Sequence, residues 1–257
     1  MKGRRNTLLL CGVLIALISV AAFTIKRASF GAQDEKVAIR HQRREARYST
    51  PRFNEWREPD RRWSLLPDGS ANSVHIDNVE TEDPDQPAAL ARMQNEYNLE
   101  SKKLICASDV TLKGEVLKSQ GVITDDDLFI YTIYTFLVTE VVRSNVAGVS
   151  VKRDGQIEFT MPGGKALVGG KKTVTFYYPS HANLVTNDQY ILHLRYDPEA
   201  DDYYVDSRLG VYFIGDEGKT TRMDAKIFPF FERRARLLGL PDNVAAVTAD
   251  IQSAACK

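Results

Sequence analysis

The side chains that could carry chemistry are few and scattered. The four histidines are His41, His75, His181 and His193. None stands in His-Glu-x-x-His or another compact metal-ligand spacing. His193 falls in a strand-like stretch, where a histidine is more often satisfied or outward-facing than a ligand. Ser180, His181 and Asp188 have the residue types of nucleophile, base and orienting acid. Ser180 and His181 are adjacent, however, and adjacent residues do not generally face each other in those roles. No Gly-x-Ser-x-Gly occurs. Gly169-Gly170-Lys171-Lys172-Thr173 is reminiscent of a phosphate loop, but Lys165 stands where the first glycine belongs and Lys172 where Ser or Thr belongs. The stretch reads instead as a hairpin or bulge that uses glycine for positive φ. The sequence therefore predicts no catalytic residue and no cofactor. An enzyme, hydrolase-like, would need a site assembled from residues far apart in the chain.

Two kinds of group remain. Carboxylates cluster at Asp125-Asp126-Asp127 and at Asp197, Glu199, Asp201 and Asp202. Calcium requires six to eight converging oxygens. The second cluster alternates suitably, so its four acids are weak Ca²⁺ candidates, although the glycine and twelfth-position glutamate of an EF-hand are missing. The plain alternative is a solvated hairpin tip. Of the three cysteines, Cys11 lies inside an apolar run, which leaves Cys106 and Cys256 as a candidate disulfide pair or as two free thiols.

The elements that must position these groups are separated by charge. The chain has 257 residues, with 34 Lys and Arg against 34 Asp and Glu. That balance argues against a generally basic nucleic-acid binder. It hides a basic leader over 1–35, a basic segment over 36–67, an acidic one over 68–100, a mildly acidic stretch over 101–224 and a slightly basic tail over 225–257. Residues 1–33 hold Lys2, Arg4 and Arg5 before an uncharged run over 8–25. This predicts a signal peptide, cut after Ala22 or Gly31, or an uncleaved anchor closed by Lys26 and Arg27. Either way the rest of the chain faces outward, anchored in the inner membrane or secreted.

Residues 34–100 read as a charged, mostly disordered linker, with a short helix near 87–99. Its basic part interleaves Arg52, Trp56, Arg61, Arg62 and Trp63. These are candidates for contact with an anionic membrane surface, and a solvated linker is the alternative. From residue 104 the hydrophobic period becomes two. Strands are expected over 110–118, 128–142, 156–161, 173–178, 189–196, 203–206 and 210–214, with turns between them and no helix. The stretch over 128–142 is about twice an ordinary strand, so it should bend and serve two parts of a barrel. The expected fold is all-β: a small OB-like barrel, closed or partly closed, over 101–224, with a short helical tail over 225–257. A β-sandwich is the runner-up.

The motifs carry a resemblance. Ala107-Ser108-Asp109-Val110 leading to Lys113-Gly114-Glu115-Val116, Val138-Thr139-Glu140-Val141-Val142, Met161-Pro162-Gly163-Gly164 with Val168-Gly169-Gly170, and Tyr190-Ile191-Leu192-His193-Leu194-Arg195 resemble bacterial exported β-barrel domains. Such domains stand alone or beside matrixin-like peptidases and are netrin- or TIMP-like in shape. The resemblance covers about residues 105–215 and is structural in character. It implies an OB-like barrel and carries over no catalytic residue. The expected function is an exported, membrane-tethered, non-enzymatic binding or adaptor module. Its partner would be an envelope or extracellular protein. The alternatives are an enzyme or a structural envelope protein, and nucleic acid is not expected as a partner.

Overall fold

The computed structural model describes residues 35–50, 99, 101–126, 129–146, 151–168, 172–176, 183–205, 210–222 and 241–256. It divides into two compact units, Met1–Arg44 and Glu45–Lys257. In the first, residues 35–44 are helical. Among its described residues the second contains nine strands: β1 (Val110–Ile123), β2 (Ile130–Ser144), β3 (Gln156–Pro162), β4 (Gly164–Val168), β5 (Lys172–Phe176), β6 (Gln189–Asp197), β7 (Asp202–Tyr204), β8 (Val211–Ile214) and β9 (Thr220–Arg222). Its helices are α1 over residues 101–107 and α2 (Val244–Ser253), together with one helical turn at 45–48.

Five strands close a ring. β1 pairs with β2, β2 with β3, β3 with β7, β7 with β6, and β6 returns to β1. All these pairs are antiparallel except β3–β7, where Phe159 and Thr160 lie parallel to Tyr203 and Tyr204. Closure leaves the ring no open edge, and the order is that of a five-stranded OB-like barrel. β8 lies on β6 beside the ring, pairing Gln189–Leu192 with Ile214–Val211, and β9 follows it.

β1 and β2 are long because each serves two packing layers. Inside the barrel Leu112, Val116, Tyr134, Phe136, Val138, Phe159, Leu192 and Leu194 form one core. The ladder between β1 and β2 shifts register at three places. Such bulges bend both strands. Beyond the bend the outer face of β2 is covered by the β4–β5 hairpin, and Ile130, Tyr131, Ala166, Val174 and Phe176 form a second core there. Two glycines permit this crossing. A Cβ on Gly121 would run into the Lys165 carbonyl of β4. Gly164 turns the chain out of β3 at φ +125°, against the Thr132 hydroxyl. Thr132 in turn donates to the Gly163 carbonyl at 2.7 Å.

A third cluster lies against the barrel's outer surface. Val247 and Ile251 of α2 meet Ile105 of α1, Val142 of β2 and Ile191 of β6. The Asn243 side chain caps α2 by accepting from the Ala246 amide at 2.9 Å. Arg143 donates to the carbonyls of Ile251 and Ala254 at the other end, at 2.8 and 2.7 Å. Cys106 at the end of α1 is bonded to Cys256, 150 positions later, with the Cα atoms 5.4 Å apart.

The strand expectations meet the structure with three differences. β1 continues five residues beyond the expected end, because its second half is paired to β2 and crossed by β4. β4 and β9 were not expected from the pattern. β4 is a five-residue Gly-Lys-Ala-Leu-Val segment whose strand character depends on its partner β5. Among the described residues no helix is long and apolar enough to cross a membrane. The run over 8–25 lies outside them, as do residues 87–98 of the helix expected near 87–99 and residues 225–240 of the tail.

Candidate functional site

The described side chains that converge from most parts of the chain do so around Arg47. The turn at 45–48 places it between the β6–β7 connection and the β3–β7 pair. One guanidinium nitrogen donates to Asp202 Oδ2 at 2.9 Å and to Thr160 Oγ1 at 3.0 Å. The other donates to Asp197 Oδ2 at 3.3 Å. The guanidinium carbon lies 4.0 Å from the centre of the Tyr204 ring. Asp202 is fully buried and Arg47 nearly so, with side-chain exposures of 0% and 13%. A charge buried this way is tolerated only when paired and hydrogen-bonded, and Asp202 lies within reach of a matching donor fork.

Tyr48, the next residue, points about 100° away around the helical turn. Its ring is 1% exposed. It stacks on Tyr131 at 4.8 Å and Phe129 at 5.7 Å, and Phe176 meets Phe129 edge-on at 5.0 Å. Glu45 completes the set by accepting from the Asp125 amide in the β1–β2 connection at 2.9 Å. A short segment is thus held by the β1–β2 loop, the β6–β7 loop, β3 and the start of β2. In OB barrels, the face of strands 2 and 3 and the loops joining strands 1–2 and 4–5 take the ligand. Numbered in chain order within this ring, β6 and β7 are strands four and five.

No protein-family model matches the chain, and no curated protein does either. The site is therefore read from its own chemistry.

The four acids singled out as Ca²⁺ candidates fall at the tip and stem of the β6–β7 turn. Asp197 and Asp202 converge, and the cation they meet is Arg47. Asp197 Oδ1 also accepts from the amides of Glu199 and Ala200 at 3.2 and 3.4 Å, an Asx-type closure of the turn. Asp201 sits at φ 48° and accepts from the Tyr196 hydroxyl at 3.0 Å. Tyr203, under the same turn, has its hydroxyl pushed up to about 12 by burial, then by Tyr196 and Asp201. In the other acidic cluster Asp126 accepts from Thr124 at 2.7 Å, while Asp127 lies outside the described residues.

Arg52, Trp56, Arg61, Arg62 and Trp63, the membrane-surface candidates, lie outside the described residues, as do His75, Ser180, His181 and the Gly169-Gly170 stretch. Asp188 is described, 3.4 Å from the Tyr190 hydroxyl that also accepts from the Val185 amide. Sequence reasoning missed Arg47 and Tyr48. It placed them in a disordered linker, whereas 35–48 is helical and 45–48 is seated on the barrel. The available signal was an arginine beside a tyrosine in an otherwise polar stretch, and that is too common to stand out.

The buried pair yields a direct test. Arg47→Met keeps an apolar stem over Tyr204 and leaves the Asp202 charge without its guanidinium. The substitution should cost about 2 kcal/mol in denaturant unfolding. Adding Asp202→Asn to Arg47→Met should recover at least half of that loss. A double variant less stable than the single would show that the ion pair is not what Arg47 contributes.

Proposed function

We propose that this protein is an exported, membrane-tethered, non-enzymatic binding module, and that its barrel grips a segment of an envelope or extracellular protein. The observation that carries this reading is the grip itself. Three side chains of a short segment, Glu45, Arg47 and Tyr48, are each taken by a different part of the barrel. An aromatic seat beside a buried carboxylate is how a protein surface anchors a peptide residue by residue.

Three further features support it. The basic-flanked apolar run over 8–25 is suited to export and tethering. A Cys106–Cys256 bond belongs to an oxidising compartment. The motifs that resemble bacterial exported OB-like domains lie in and around β1, β2, the β3–β4 turn, the end of β4 and β6, with Gly169 and Gly170 outside the described residues.

A photo-crosslinking residue placed at Glu199, on the exposed lip of the site, tests the reading in cells that make the full chain. Lys152, an exposed position outside the site, is the control. Discrete protein adducts confined to position 199 are expected. Adducts of equal number and intensity from position 152, or none from either, would overturn it. Fractionation tests the tether, since a solely soluble product would remove it.

A further inference from the structure

The site just described is already occupied by the chain's own residues, and this occupancy defines what else it can take. The seat has two compartments at the spacing of adjacent residues on a helical turn. One is anionic, with Asp202 fully buried, Asp197 behind it and the Tyr204 ring as its floor. The other is aromatic, walled by Phe129, Tyr131 and Phe176. The Asp125 amide adds a donor for an acid two positions before the arginine. Lysine would meet the anionic compartment as a point charge, whereas the guanidinium forks between two carboxylates and lies over a ring. We propose that this groove is a receptor for protein segments presenting an arginine followed by an aromatic residue on one helical turn, and that residues 45–48 are its tethered, displaceable occupant.

The inference rests on the binding-module reading and specifies its ligand. Charge complementarity argues for this class: a buried carboxylate demands a cation, and the aromatic wall beside it demands a ring. The covalent connection argues for displacement. The occupant and the groove belong to one chain, so the occupant competes intramolecularly, at an effective concentration on the order of millimolar. A partner segment at higher local concentration or with better contacts then replaces it. Binding and release become one exchange, and the buried acid is never left without a cation.

A labelled peptide with the sequence of residues 35–50 is the probe, and the full chain in detergent is the receptor. Arg47→Ala with Tyr48→Ala vacates the groove. The peptide should bind this variant at least tenfold more tightly than it binds the unmodified chain, whose own segment competes. Adding Asp197→Asn and Asp202→Asn to the vacated variant should weaken the peptide at least tenfold. Tyr48→Ala alone retains the Arg47–Asp202 pair and serves if the double variant loses its cooperative unfolding transition. It should bind the peptide with an intermediate affinity. Equal affinity for the vacated and unmodified chains, or binding indifferent to Asp197 and Asp202, would overturn the inference. Crosslinks from position 199 would then still stand for a binding module with a different ligand, so the two failures are distinguishable.

Discussion

Cys106→Ala with Cys256→Ala is expected to lower the unfolding temperature on the order of 10 °C. The bond closes a loop of 150 positions. Loop-closure entropy for that length is worth about 5 kcal/mol, and measured disulfides more commonly give about 2–4 kcal/mol. Each kilocalorie moves the midpoint of a domain of this size by roughly 2–4 °C. What the bond staples can be stated atom by atom. Cys256 follows α2, whose Val247 and Ile251 are buried on Ile105, Val142 and Ile191, and Arg143 holds the last carbonyls. Those contacts remain in the double alanine variant, so α2 should still dock, only less durably. Amide exchange in 244–253 should therefore accelerate more than exchange in β2. A midpoint within about 3 °C of the unmodified protein, or equal acceleration in both elements, would show that the bond does not restrain the tail.

How much of this was legible in the sequence differs between the barrel and the site. Strict alternation gave away β2: Tyr134, Phe136 and Val138 point into the barrel, and no other pattern in the chain is as long. The same strand's first residues defeat a simple inside–outside reading, because Ile130, Tyr131 and Thr132 are buried in succession. A continuous apolar run signals burial on both faces but does not say what covers the second. The cover is the β4–β5 hairpin, and the segment that forms β4 begins with a glycine whose job is to turn the chain.

The site was legible only by half. Its acids were visible as a cluster, since Asp197 and Asp202 flank a Pro-containing turn. Their partner was not, because Arg47 lies 150 and 155 positions away from them and 113 from Thr160. Periodicity reports which face of an element is buried; it carries no information on which distant side chain completes an ion pair. A carboxylate cluster in a loop therefore points to some cation, and only the fold can tell metal from guanidinium.

Lowering the pH from 6.5 to 4 should cost the barrel about 3 kcal/mol through His193 alone. The imidazole lies in β6, 2% exposed, with Nδ1 at 2.9 Å from the Thr111 hydroxyl of β1 and the Tyr212 ring of β8 at 6.1 Å. Among the described residues Nε2 has no hydrogen-bond partner. Burial, and then the positive charge of Arg143, push this histidine down to about 4. The unfolded chain, with its histidine near 6.5, then binds more protons than the folded chain between those two values. Stability rises with pH across that window and is lost as pH falls through it. Carboxylates also titrate at the lower end, so the measurement is a difference. His193→Gln retains a polar group toward Thr111 and cannot gain a proton. Plotted against pH, the unfolding free energies of the two proteins should run parallel above about 7 and separate below 6.5. The unmodified protein should lose about 3 kcal/mol more by pH 4. Parallel curves down to pH 4 would mean that the protonated imidazole finds an acceptor that the folded barrel does not offer at Nε2.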